Sequence, residues 1–305
     1  MDNNQPKAVI LLSSYNGEKY IRQQIESILT QTYSNFILYI RDDGSTDSTV
    51  SIIEELAKTD PRIKFIKDDR NLGYPSCFYY LTDTAPEADY YFFSDQDDVW
   101  LEDKIQSAIA VLENYDKATP VSYYSGYTIC DSQMNKTGES PLIKRAPKLS
   151  DVLFQVCGLE FTMAINKAAL RLLNNNKPSF CSGRGVWMCM LYASLGHIVI
   201  DNNRYALYRR HDLAVTASDM SFIGKFIWRI KRFFGGGFND YREILQDFYN
   251  TVATKLSEKD YRMVRLFADK KYFPSVITKV FYPKRLRFKF IDELALRFTF
   301  LIGKL

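Results

Sequence analysis

Tyr90-Tyr91-Phe92-Phe93-Ser94-Asp95-Gln96-Asp97-Asp98-Val99-Trp100 is the stretch on which the fold turns. Four aromatic residues make a run of strand length, and it stops at three acids within four residues. A short apolar run cut off by polar residues is the pattern of a strand buried on both faces of a parallel sheet. Upstream, the same unit repeats. Residues 8–13 and 36–40 read as strands, as does Ile63–Ile66. Helical patterns come after them: Ile21, Ile25, Ile28 and Leu29 share one face, residues 50–56 form a second helix, and 75–81 open a third. This alternation predicts a doubly wound, mostly parallel α/β sheet with right-handed crossovers.

Ligands of such sheets bind beyond the carboxyl ends of the strands. Four polar sets are therefore expected on one rim: Ser14-Tyr15-Asn16, Asp42-Asp43-Gly44, Asp68-Asp69-Arg70-Asn71 and Ser94-Asp95-Gln96-Asp97. Residues 120–215 are mixed, with a loop at 141–147, strands at 161–165, 198–200 and 205–208, and a helix at 186–194. The remainder reads as helical and basic. Residues 221–305 carry 18 Lys/Arg against 8 Asp/Glu, whereas residues 1–220 carry 22 against 28. An acidic rim joined to a basic tail implies two jobs.

Composition narrows the choices. Five scattered cysteines and two histidines leave no zinc pattern, and they read as reduced, buried thiols of a cytosolic protein. The first residues lack a signal-peptide pattern, and no apolar run is long enough to span a membrane. No nucleic-acid motif accompanies the basic charge.

The acids on the rim suit a sugar nucleotide. A nucleoside diphosphate leaves easily only when its charge is neutralised, and Mg²⁺ or Mn²⁺ held by carboxylates does this. Asp95 and Asp97 present two carboxylates at close range, one for ribose hydroxyls and one for the metal. The competing reading has Asp97 or Asp98 capping a helix that begins near Leu101, a role expected for one of them. Asp42 ends its strand and is placed to accept the N3–H of a pyrimidine, with Tyr15 stacking on the base. Ser45 and Asp47 compete as helix caps.

These pieces together resemble glycosyltransferase family 2, an inverting family with the GT-A fold. The matching residues are Leu12-Ser13-Ser14-Tyr15-Asn16-Gly17, Ser27-Ile28-Leu29-Thr30-Gln31-Thr32-Tyr33, residues 42–47, Asn71-Leu72-Gly73 and the acidic run ending at Trp100. The last looks most like bacterial rhamnosyltransferases of surface-polysaccharide synthesis. The resemblance implies Ser13, Tyr15 and Asp42 at the base, and Asn71 with the donor. It also implies Asp95 at ribose or metal, Asp97 on Mn²⁺ or Mg²⁺, and His211 on the metal or the diphosphate. Arg209 or Arg210 would offset diphosphate charge, and His197 is read as structural. The expected layout is a GT-A domain over 1–216 (nucleotide half 1–105, acceptor half 106–216) and a basic, aromatic helical extension over 217–305.

The resemblance breaks at the general base. Family members like this one place an acid before a Trp-containing helix, and here Gly185 takes that place ahead of Trp187. Glu160 is the first alternative, followed by Asp201 and Asp212. A donor-binding pseudoenzyme or assembly partner is the rival reading. A nucleotidyltransferase is a second, but residues 13–17 are not its Gly-rich phosphate loop. The implied donor is a dTDP- or UDP-sugar and the implied acceptor a polyprenyl-linked glycan. Peripheral contact with the inner face of the cell membrane is expected through 222–234 and 284–305. No nucleic-acid partner is expected, and an oligomer is compatible with the sequence.

Overall fold

The structure is a computed structural model of the 305-residue chain, and it describes residues 5–179, 184–210, 239–269 and 271–305. The chain divides into two compact units. One comprises Met1–Ala146, Gly158–Asn175 and Gly196–Arg210; the other comprises Pro147–Cys157, Asn176–Leu195 and His211–Leu305.

The first unit is built on one sheet. Strands β1 (Ala8–Ser14), β2 (Phe36–Asp42), β3 (Ile63–Ile66) and β4 (Tyr90–Ser94) run parallel in the order β3-β2-β1-β4. Parallel neighbours need crossovers, which α1 (Ile21–Leu29), α2 (Thr49–Thr59) and α3 (Ser76–Thr84) provide. Ala8, Val9, Ile10, Leu11 and Leu12 are all fully buried, which explains a strand with no polar alternation. Ile21, Ile25 and Ile28 turn one face of α1 into the same core. Register aligns the strand ends: Leu12 lies beside Ile40 and Ser94, and Ser14 beside Asp42.

The sheet then changes character. It continues through β8 (Met163–Asn166), β6 (Val121–Cys130), β9 (His197–Arg209) and β5 (Val99–Trp100), with β7 (Lys136–Glu139) on β6. In this half only the β6–β9 pair is parallel. The strand expected at 161–165 is a short 3-10 turn, Glu160–Thr162, followed by β8. The two strands expected at 198–200 and 205–208 are one, bulged opposite Gly126. A Cβ at Gly126 would stand 2.9 Å from the Asn202 carbonyl oxygen, so this close approach requires glycine.

The helix expected near Leu101 starts later, as α4 (Lys104–Leu112), with Asp103 at its N-cap position. Neither Asp97 nor Asp98 caps it, because β5 lies between. A further helix, α6 (Lys167–Asn174), is capped by Asn166, whose side chain accepts the Ala169 amide.

The second unit is helical among its described residues: α5 (Leu149–Val152), α7 (Arg184–Leu195), α8 (Asn239–Val252), α9 (Glu258–Ala268), α10 (Ser275–Val280) and α11 (Phe290–Leu301). Residues 184–192 of α7 are buried, and the Trp187 indole donates to the Asn176 carbonyl at 2.8 Å. Gly185 sits in its first turn, with no acid in that turn. Cys77, Cys130, Cys157 and Cys189 are buried free thiols. No described helix is long and apolar enough to cross a membrane.

Candidate functional site

The four polar sets do meet at the carboxyl ends of β1 to β4, and hydrogen bonds from side chains to backbone and to one another join them. Ser14 Oγ donates to Asp42 Oδ1 at 2.9 Å. Asp42 also accepts the Ser45 hydroxyl at 2.6 Å and the amides of Gly44 and Ser45 at 3.1 and 2.7 Å. Its carboxylate is thus buried and oriented by four donors. Asn16, at φ 45°, turns the chain out of β1, and its side-chain oxygen accepts the Thr46 amide at 2.8 Å. The Asn16 amide in turn donates to Ser45 Oγ at 2.8 Å.

The third set is held from below. Fully buried Arg41 pairs with Asp43, reaches Asp68 at 3.1 Å and donates to the Arg70 carbonyl at 2.8 Å. Asp43 accepts the amides of Leu72 and Gly73 at 2.9 and 2.8 Å. The loop bearing Asn71 is therefore fixed against β2. The Asp68 carboxyl is held well below the usual carboxylate range, first by its pair with Arg70.

The acidic run is clamped on both sides. The Gln96 carboxamide accepts the Tyr15 amide at 2.8 Å and donates to the Tyr15 carbonyl at 2.9 Å. This leaves the Tyr15 ring 47% exposed above the rim, free to stack. Behind it, buried Gln24 donates to Ser94 Oγ at 2.7 Å. The end of α1 grips the residues after the run. Ser27 Oγ accepts the Trp100 amide at 3.1 Å, Gln31 donates to the Leu101 carbonyl at 2.7 Å, and the Thr32 amide donates to the Glu102 carbonyl at 2.8 Å. The Ser27–Thr32 segment thus serves to hold the acidic loop.

Arg209 is placed by β9 against the same loop. It is 4% exposed. Nε donates to the Asp97 carbonyl at 2.9 Å, Nη1 to the Ser132 carbonyl at 2.8 Å, and Nη2 to Gln23. Its amide donates to Asp98 Oδ1 at 3.2 Å. These bonds occupy the guanidinium with the protein itself. Arg210 differs: it is half-buried, and among the described residues its Nε has no hydrogen-bond partner.

The donor set suits a divalent cation. Asp98 is completely buried, and burial, then Asp97 and Asp95, push its carboxyl well above the usual range. Among the described residues its Oδ2 has no hydrogen-bond partner. Carboxylate oxygens are the donors that Mg²⁺ or Mn²⁺ prefers. Among the described residues no three His, Cys, Asp or Glu side chains form a complete metal cluster. One or two carboxylates are all that an ion shared with phosphate oxygens needs, and Asp95 and Asp97 stand in the loop after β4. Behind them lies buried Lys104, its ammonium 4.8 Å from the Trp100 ring. Burial brings it down to about 7, against the pull of Asp98.

The remaining candidates fall apart in space or in description. Ser13 is half-buried on β1 beside Arg41. Asn71 is exposed on its loop. Glu160 opens the turn before β8, and the Tyr74 hydroxyl donates to it at 3.1 Å. Asp201 accepts the Tyr123 hydroxyl at 2.8 Å, which ties it into the sheet. His211, Asp212 and the segment 222–234 lie outside the described residues. Sequence reasoning missed Gln96, Gln24, Gln23 and the Arg41–Asp43 pair. Only the order Asp-Gln-Asp hinted at Gln96.

Comparison with known proteins gives a family and a fold. The sequence model of glycosyl transferase family 2 matches residues 9–175. A dTDP-rhamnosyl transferase, RfbG of Shigella flexneri, is 29% identical over 232 residues, covering 70% of this chain and 76% of that protein. A putative teichuronic acid biosynthesis glycosyltransferase, TuaG of Bacillus subtilis, is 30% identical over 125 residues, 41% of this chain and 49% of that one. The fold is GT-A. The crystal structure of S. aureus TarS 1–349 superposes with a TM-score of 0.62 at 16% identity, covering 98% of this chain and 80% of that one. A Pyrobaculum calidifontis mannosyltransferase solved with GDP-Man and Mn²⁺ gives 0.55 at 14% identity, covering 99% and 75%.

Proposed function

The chain belongs to glycosyl transferase family 2, and from that premise we propose that it moves a sugar from a dTDP- or UDP-sugar to a lipid-linked glycan. The setting is bacterial capsule or cell-wall polysaccharide synthesis, and rhamnose is the first sugar to try, given the likeness to RfbG. The observation that carries this reading is the joined rim. Tyr15, Asp42 and the acidic run stand together at the ends of β1, β2 and β4, held by Gln96 and Ser14.

Tyr15 stacks on the base, Asp42 accepts from its N3–H in place of the Ser45 hydroxyl, and Ser13 and Asn71 complete that side. Asp95 takes the ribose or the metal, and Asp97 the metal, with His211 as a further ligand. Mn²⁺ or Mg²⁺ supplies Lewis-acid stabilisation of the departing diphosphate. Arg210, rather than the occupied Arg209, offsets diphosphate charge. Arg209 is a positioning residue for the backbone of Asp97. In the transfer, Glu160 removes the acceptor hydroxyl proton as that oxygen bonds to the anomeric carbon. The bond from that carbon to the diphosphate breaks, and the configuration inverts. The protein works at the inner face of the cell membrane, where such acceptors are presented.

A second reading has one specific observation in its favour. Gly185 opens α7 where an acid is expected, so the chain binds donor and assists assembly without efficient transfer. Thermal-shift screening of dTDP-rhamnose, UDP-glucose, UDP-galactose and UDP-N-acetylhexosamines, with and without Mn²⁺, followed by transfer assays, separates the two. Binding with turnover supports the enzyme; binding without turnover supports the partner.

A further inference from the structure

The last helices of the second unit are apolar on the side they bury and on the side they leave to solvent. In α11, Leu296 and Phe300 are buried, while Phe290, Ile291, Leu294, Phe298 and Leu301 are exposed, Ile291 at 72%. In and beside α10, Val276 is buried and Phe273, Ile277 and Phe281 are exposed, Phe281 at 78%. A helix that is apolar all round belongs inside something, and exposed apolar surface on this scale marks an interaction face.

This face is not a frayed end. Arg297 gathers the carbonyls of Val280, Tyr282 and Lys284 at 2.9, 2.8 and 2.7 Å, and pairs with buried Glu293 at 2.6 Å. The Tyr272 hydroxyl donates to the Leu301 carbonyl at 2.6 Å. Glu293 also accepts the amides of Leu286 and Arg287, both at 2.8 Å. The two helices and their connection are locked as one platform.

Charge selects the occupant. Lys271, Lys284, Arg285, Lys289 and Lys304 are exposed around the apolar residues. The acids of residues 271–305 are Asp292, half-buried, and Glu293, buried; just ahead of them exposed Asp269 accepts the Lys271 amide at 2.9 Å, so the five exposed cations outnumber one exposed carboxylate. A second copy meeting this face isologously would set cation against cation. An anionic lipid leaflet offers both an apolar layer and opposite charge.

We propose that α10 and α11 seat the protein on an anionic lipid leaflet, with Phe281, Phe290, Ile291 and Phe298 entering the headgroup boundary and the surrounding lysines and arginines meeting the phosphates. The proposal deepens the lipid-linked acceptor reading and rests on it only for its purpose. The test uses the full chain with no donor or acceptor, so its failure and the failure of the transfer reading are told apart.

The chain is floated with vesicles of phosphatidylcholine alone and of phosphatidylcholine with 30% phosphatidylglycerol, about a membrane-like anionic fraction, alongside the variants Ile291→Ser/Phe298→Ser and Lys284→Gln/Arg285→Gln/Lys289→Gln. Expected is binding to the anionic vesicles only, weakened about tenfold or more by either variant, with melting temperatures unchanged. Absence of binding, or binding that ignores both variants, overturns the proposal. So does concentration-dependent dimerisation abolished by Ile291→Ser/Phe298→Ser, which would make the face a contact between copies. A large fall in melting temperature for that variant also overturns it, because the face would then be covered by the protein's own chain.

Discussion

The Gln96 side chain holds Tyr15 by both its amide and its carbonyl, at 2.8 and 2.9 Å, across a separation of 81 residues. One carboxamide thus sets the distance between the stacking ring and the acidic run beyond β4. Gly17 makes room for it: a Cβ there would come within 2.6 Å of Gln96 Cδ. Gln96 cannot swing away without losing both bonds. Gly17→Ala and Gln96→Ala are each expected to weaken nucleotide binding, with about 1–2 kcal/mol of stability lost. Gln96→Glu should be worse than Gln96→Ala, since an anionic oxygen then faces the Tyr15 carbonyl. Denaturant unfolding and nucleotide titration of the three variants check the order.

The two adjacent arginines are expected to separate in kind. Arg209→Lys breaks a buried set of bonds to the Asp97 and Ser132 carbonyls, at a cost of about 2–4 kcal/mol, and loosens metal binding. Arg210→Gln should leave stability unchanged and raise the KM for donor. A stable, fully active Arg209→Lys would show that the acidic loop holds itself.

Much of the first unit was legible because its signals are local. An apolar run such as Ala8–Leu12, a heptad-like face such as Ile21, Ile25 and Ile28, and three acids after Phe93 each declare themselves within a few residues. What was hidden acts at a distance, mostly through backbone atoms. Gln24, Gln31, Gln96 and Arg209 are polar residues with ordinary sequence surroundings, yet each meets a partner 70 or more positions away. Strand β6 escaped notice because Ser122, Ser125 and Gly126 break its apolar pattern. Their packing becomes clear only opposite β9. The cap assigned to Asp97 or Asp98 failed for a related reason: two residues of strand, Val99 and Trp100, pair with Leu207 and Ala206 before the helix begins.

Lys104 gives a pH-dependent stability with a definite sign. Its folded pKa, about 7, lies below the unfolded value, which is about 10.4. Between those values the unfolded chain holds more protons, so this group's contribution is fully present above the unfolded pKa and is lost as pH falls toward 7. Lys104→Met removes that slope. Its stability relative to the parent should rise by a few kcal/mol at most between pH 10 and pH 7, then level off. Urea unfolding at pH 9.5, 8 and 7 reads the difference; parallel trends for the two proteins would contradict it.

Glu160 receives the Tyr74 hydroxyl at 3.1 Å, and both residues can be tested together. If Glu160 is the base, Glu160→Gln lowers kcat about 100-fold or more while nucleotide affinity stays within error. Tyr74→Phe should shift the pH profile of kcat and leave donor KM unchanged. Full activity in Glu160→Gln removes it from the mechanism.

The central claim is that the rim joining Tyr15, Asp42 and the acidic run is a metal-dependent donor site. Calorimetric titration of UDP and dTDP into the full chain, with Mn²⁺ and with EDTA, tests it most directly when repeated on Asp97→Asn. Expected is saturable binding that needs Mn²⁺ and is lost in Asp97→Asn, while that variant keeps the parent melting temperature. Equal binding in EDTA, or in a folded Asp97→Asn, would contradict it.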